Sequence, residues 1–154
     1  MLRTTEERGS VLLLFPVGVL AVLVLAAVAV DSAVAFMGQR ELAGAVAAAA
    51  NDAATDALSE TAFYGRGAVE VDDAELARVA EERVRTSIDT GRYRNVAVRA
   101  EVVRGAAGCS WSLRVEASAT VGYVFARAVP GAADHVDVAA AASSSPRSGV
   151  STCP

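Results

Sequence analysis

The chain has 154 residues, enough for one domain plus a segment of other purpose. Apolar residues make up 53% of it, more than a soluble domain carries, and the excess is concentrated near the start. A formal net charge of −4 argues against a nucleic-acid partner, which requires a basic face, and no nucleic acid is expected.

All 14 basic residues are arginine, which beside so much Ala, Val and Gly reads as composition bias rather than as a binding site. Residues 1–10 form a short leader with Arg3, Arg8, Glu6 and Glu7. Val11–Val30 follows without a charge. Its twenty residues give about 30 Å of helix, the thickness of a bilayer hydrocarbon core. Pro16 and Gly18 weaken a soluble helix but are tolerated in a membrane helix. Arginines and the free amino group on the short side predict a single-pass protein with a cytoplasmic N-terminus and an extracytoplasmic remainder. A cleaved signal peptide is the alternative. Ala27-Val28-Ala29 and Ala33-Val34-Ala35 both have the small-x-small pattern of a cleavage site, but the apolar run is long and the helix pattern continues past both.

Residues 31–59 contain no proline and are dominated by alanine, the strongest helix former. Asn51, Asp52, Thr55, Asp56 and Ser59 share one face, and Val46, Ala49, Ala50, Ala53 and Ala57 share the other. The spacing predicts one rod from Val11 to Ser59, about 73 Å long. Its narrow face of small residues suits close packing against a sheet or another helix; a spacer helix with no partner is the alternative.

Residues 60–142 are expected to form a small extracytoplasmic domain. Phe63-Tyr64-Gly65-Arg66-Gly67 reads as a loop. Asp72 and Glu75 have the spacing of a capping box, opening a helix whose inner face is Ala77, Ala80, Val84 and Ile88 and whose C-cap is Gly91. Val96, Val98, Ala100 and Val102 alternate with more polar positions, and Trp111, Leu113, Val115, Ala117, Ala119 and Val121 do so more clearly, predicting two strands joined through Gly105 and Gly108. A third strand, Val136 to Ala142, follows the turn at Pro130-Gly131. Residues 143–154 read as a loose tail. The expected fold class is therefore α+β: a long membrane-spanning helix continues into an Ala-rich helix packed on a small antiparallel sheet.

Cys109 and Cys153 fit no metal-ligand spacing. An oxidising compartment favours a disulfide between them, worth on the order of 4 kcal/mol in the chain-entropy model. Two free thiols are the alternative.

The Arg-containing leader ending in Gly9-Ser10, the apolar helix with an early proline and the Ala-rich helix behind it resemble the type IV pilin layout. More narrowly, ERGSVLLLFPVGVLAVLVLAAVAVD with Arg40, Leu42 and an alanine run resembles the TadE/TadG-like proteins of Flp (tight-adherence) pilus systems, most clearly over residues 6–58. VGYVFARAVPGAADHVDVAAAASSSP is similar to the closing strand pair of TadE-like proteins. The resemblance implies cutting by a prepilin peptidase after Gly9, leaving Ser10 as the first residue. It also implies other pilin-like subunits and the pilus assembly machinery as partners, with the apolar helix becoming part of a surface filament or of its initiating complex. Leu14 departs from the pattern, standing where processed pilins carry a glutamate, and Gly44 and Ala47 stand where related chains often have Asn and Asp. An apolar residue at 14 avoids the several kcal/mol that a carboxylate costs at bilayer depth. Such a chain is suited to remain in the membrane or to cap a filament.

An enzyme is not expected. Asp89-Thr90-Gly91 matches the aspartic-protease tripeptide, but it occurs once and at the end of a helix pattern. His135, flanked by Asp134 and Asp137, is the single histidine, so no metal site or cofactor is expected. Phe63, Tyr64, Tyr93 and Tyr123 are candidate partner-surface aromatics, with Tyr123 and Phe125 equally compatible with a core. The reading is a non-enzymatic, pilin-like membrane protein in assembly or anchoring of a Flp-type pilus. The alternative is an anchored or secreted binding domain unrelated to pili.

Overall fold

A computed structural model of the chain describes residues 8–64, 72–105 and 110–145, with the side chains of 8–13 and 58–64 left aside. The architecture is α+β. Helix α1 runs Arg8–Tyr64, α2 runs Asp73–Ser87, and strands β1 (Tyr93–Arg104), β2 (Trp111–Gly122) and β3 (His135–Ser144) form an antiparallel sheet in the order β1-β2-β3.

Helix α1 is a single element of 57 residues with Pro16 inside it. Its apolar half and its Ala-rich half are continuous, as the absence of any breaker between them predicts. The helix also takes in Phe63 and Tyr64, which the sequence reading placed in a loop. No proline or glycine lies between Ala45 and Tyr64, so nothing stops the helix before Gly65.

The second helix begins as expected. The Asp72 side chain accepts from the amides of Ala74 and Glu75 at 3.0 and 3.3 Å. The reciprocal half of the capping box is diverted, because the Glu75 carboxylate pairs with Arg78 at 2.6 and 2.9 Å. Leu76, Ala80, Val84 and Ile88 form the buried face, with Leu76 taking the place expected for Ala77. Gly91 is not the C-cap. The helix stops at Ile88, which turns extended, and Asp89 then builds its own turn.

The strands show why the alternating pattern was readable. Leu113, Val115, Ala117, Ala119 and Val121 are buried on one face of β2, while the residues between them are wetter. The strand β3 extends past 142, since Ser144 still pairs with Leu113. A register shift between Arg94 and Ala97 places Asn95 at φ 52°, a left-handed conformation that asparagine tolerates. Between β2 and β3 lie a short 3-10 turn, Ala126–Ala128, and a turn with Pro130 second and Gly131 third. Gly131 has φ +84° and the Ala132 amide donates to the Val129 carbonyl, so this is a type II turn that needs glycine there.

Both helices pack on one face of the sheet, α1 against β3 and β2 and α2 against β1. Leu42, Val46, Leu113, Val115, Val84 and Val121 are the largest fully buried side chains. Ala49, Ala50 and Ala53 of α1 complete this core. The Ala-rich half of α1 is thus a wall of the domain formed with α2 and the sheet.

Candidate functional site: a helix bare at one end and docked at the other

The two halves of α1 meet different surroundings. From Leu14 to Val30 almost every position is exposed, including Leu14, Phe15, Leu20, Leu23, Leu25 and Val30. Among the described residues this is the one helix long and apolar enough to cross a membrane by length and composition. Gly9, Ser10 and Val11 lie in its first turns, and Pro16 removes the amide that the Leu12 carbonyl would otherwise receive. An exposed apolar surface of this extent marks a site of contact with a membrane or with another protein. Cys109 and Cys153 lie outside the described residues, as do Arg3, Glu6 and Glu7 of the leader and Gly65, Arg66 and Gly67 of the proposed loop.

The docked half begins at Asp31, the only charged residue between Arg8 and Arg40. Its side chain is 7% exposed and accepts three backbone amides: Val124 at 2.7 Å, Phe125 at 3.0 Å and Ala126 at 2.8 Å. Burial pushes the Asp31 carboxyl up, but the amides of Phe125, Ala126 and Val124, with the nearby Arg127 charge, hold it below its ordinary value. The carboxylate therefore clamps the β2–β3 connection to the helix at the residue where the uncharged stretch ends.

Two turns further, Gly38 sits against β2. A Cβ there would meet a Val121 methyl at 3.0 Å, so glycine is what lets the helix approach this closely. The Gly38 carbonyl accepts the Tyr93 hydroxyl at 2.9 Å. Tyr93 is buried, contrary to its reading as a surface aromatic, because the start of β1 turns its ring under α1. Burial first, and then the Glu41 carboxylate, push its phenol up to about 12. Gln39 donates to the Ala139 carbonyl at 2.6 Å, and Arg92 pairs with Glu41 at 2.9 Å. Arg83 of α2 reaches Asp56 and, at 3.8 Å, Asp52. Polar contacts thus fasten the helix to the domain from Asp31 to Asp56.

The residues that invited an enzyme reading make local contacts. Asp89 is exposed, and its side chain accepts the Gly91 amide at 2.8 Å while its carbonyl accepts Arg92 and Tyr93. His135 is exposed against Asp134, whose carboxyl it holds below the ordinary value. No group of three or more His, Cys, Asp or Glu side chains able to hold a metal occurs among the described residues. Tyr123 is half-buried and Phe125 largely exposed.

No family model, curated protein or solved structure matches this chain. Neither Asp31 nor Gly38 stands out as a site residue in the sequence, and Tyr93 stands out there only as a candidate surface aromatic. For Asp31 a signal existed: a lone carboxylate in an otherwise uncharged stretch of thirty-one residues, from Gly9 to Gln39, requires a partner if it is buried.

Proposed function

We propose that the chain is a single-pass membrane protein of the TadE/TadG pilin-like kind, acting without catalysis in the assembly or anchoring of a Flp-type pilus. The observation that carries this reading is the continuity of α1. The bare apolar helix and the wall of the outer domain are one rigid element, so whatever grips the first half fixes the orientation of the second. In the membrane the run Val11–Val30 satisfies its backbone internally, apart from the carbonyl freed by Pro16. Leu14 leaves no carboxylate at bilayer depth. Like helices pack against this surface in the bilayer or in a filament, and the outer domain meets neighbouring subunits. With the domain in an oxidising compartment, Cys109 and Cys153 form a disulfide.

The test is the intact mass and N-terminal sequence of the protein from its native membrane, without reducing agent. A chain beginning at Ser10 supports pilin-type processing and filament entry. A chain that keeps Met1 or Leu2 makes this a permanent anchor within the assembly apparatus. A chain beginning at Val30 or Phe36 overturns the membrane and pilus readings together. A mass lower by a pair of hydrogens is expected from the disulfide, and coprecipitation with other pilin-like subunits separates an assembly factor from a plain binding module.

A further inference from the structure

The connection between β2 and β3 carries apolar side chains that the fold does not use. Val124, Phe125 and Val129 are 43%, 47% and 57% exposed, on a loop with no protein layer over it. The height of this loop is fixed. Three of its amides bond the carboxylate of Asp31, the first residue after Val30. If Val11–Val30 fills the hydrocarbon core, the loop lies at the level of the lipid headgroups, where it has only a few ångströms of freedom. Phe36 and Met37, also exposed, stand about 7–9 Å further along the helix. They face away from the docked side marked by Asp31 and Gly38. That height is still within the roughly 5–8 Å headgroup layer or at its rim.

The backbone of the loop suits such a place. Tyr123 donates to the Asp134 carbonyl, Val124, Phe125 and Ala126 to Asp31, Ala128 to Phe125, Val129 to Ala126 and Ala132 to Val129. Pro130 has no amide to satisfy. With the amides of Tyr123, Val124, Phe125, Ala126, Ala128 and Val129 already bonded within the protein, the segment enters a water-poor layer at lower cost than a loop whose donors all bond water. Arg127, exposed on the same turn, has a stem long enough to keep its guanidinium among the headgroups.

We propose that residues 123–130 form a ledge that rests on the extracytoplasmic bilayer surface. Val124, Phe125 and Val129 enter the headgroup–acyl boundary, and Asp31 holds the ledge at that depth. With Phe36 and Met37 on the other side of the helix, the ledge sets the tilt of the outer domain over the membrane. This inference rests on the reading of Val11–Val30 as a membrane span.

The test uses the full chain in phosphatidylcholine vesicles whose acyl chains are brominated at shallow or at deep positions. Trp111 provides a built-in reference, eleven residues along β2 from Gly122 and so about 36 Å from the ledge end of the strand. Phe125→Trp, and Val129→Trp as a second position, are expected to add a blue-shifted component that shallow bromines quench and deep ones quench less. Val22→Trp is expected to be quenched most by the deep bromines. If Val22→Trp is quenched while neither ledge variant responds to bromine, the ledge is overturned and the span stands. A blue-shifted but unquenched signal at 125 and 129 would mean that protein, such as a second copy, covers the loop, and also overturns it. If Val22→Trp is not quenched, the span itself falls, and the ledge with it.

Discussion

Gly38 and Gly44 lie six residues apart on α1, and replacing each by alanine is expected to act with opposite signs. A glycine inside a helix costs about 0.5–1 kcal/mol relative to alanine. At Gly44 a Cβ meets nothing within 4 Å, so Gly44→Ala recovers that amount. At Gly38 the Cβ meets Val121 Cγ2 at 3.0 Å and Cγ1 at 3.6 Å. Val121 is 1% exposed, β-branched, and paired with Tyr93 on one side and Val136 on the other. Its branched side chain is stiff at χ1 and, being buried, yields little. Separating helix from strand would also lengthen the 2.9 Å bond from Tyr93 to the Gly38 carbonyl. Overpacking of this kind costs about 1–3 kcal/mol, so Gly38→Ala loses between about 0 and 2.5 kcal/mol net. The gap between the two variants is the packing cost itself, about 4–24 °C in melting temperature for a domain of this size. Thermal unfolding of the full chain in micelles, followed by Trp111 fluorescence, reads it. A Gly38→Ala variant as stable as Gly44→Ala would refute the tight helix–sheet contact. Adding Val121→Ala to Gly38→Ala is expected to show a favourable coupling of about 0.5–3 kcal/mol.

Asp31→Asn keeps the shape but replaces one acceptor oxygen with a donor facing amides, so deuterium uptake at 124–126 is expected to rise while the sheet is unchanged. Because the Asp31 carboxyl is held below its ordinary value, its contribution is present above the unfolded value of 3.8 and lost as pH falls through the folded one. An acid titration of loop protection in the parent, absent in the variant, checks this. Tyr93→Phe removes the hydroxyl donated to Gly38 and is expected to cost about 0.5–1.5 kcal/mol in denaturant unfolding. The phenol, raised to about 12, stabilises the fold below its unfolded value near 10 and ceases to as pH climbs through 12, which absorbance at 295 nm follows. Asp89→Asn and His135→Ala are expected to leave export and coprecipitation intact; loss of function in either folded variant would reopen an enzymatic reading.

The parts of the fold legible in the sequence are those in which burial is periodic. Helix α1 is apolar all round and then on one face, and β2 alternates because one side is dry and the other wet. The unread parts depend on contacts far apart in the chain. Asp31 is bonded to residues more than ninety positions away, and its role is invisible until the sheet places that loop beside it. Tyr93, between Arg92 and Arg94, reads as a surface residue, and only the docking of α1 over the start of β1 buries it. Gly91 follows a helix pattern, yet the chain had already turned at Ile88 because the Asp89 side chain supplies the turn's acceptor.

The same clamp separates the two sites at which a signal peptidase would cut. A chain beginning at Val30 retains Asp31 and Val34, both part of the docked surface, whereas a chain beginning at Phe36 loses them. The core residues from Leu42 to Ala53 remain in both, so both are expected to fold. They should differ in the loop. With Asp31 gone, the amides of Val124, Phe125 and Ala126 have only water to bond, and the connection is no longer tied to the helix. Hydrogen exchange is expected to show equal protection at Val115, Ala117 and Val138 in the two chains, and protection at 124–126 only in the longer one. Equal protection of the loop in both would mean that the turn at Pro130-Gly131 holds it without the carboxylate. With the expected result, cutting after Ala35 discards a residue that the fold uses, and cutting after Ala29 does not. Of the two small-x-small sites, only the earlier one then preserves the clamp between the helix and the β2–β3 connection.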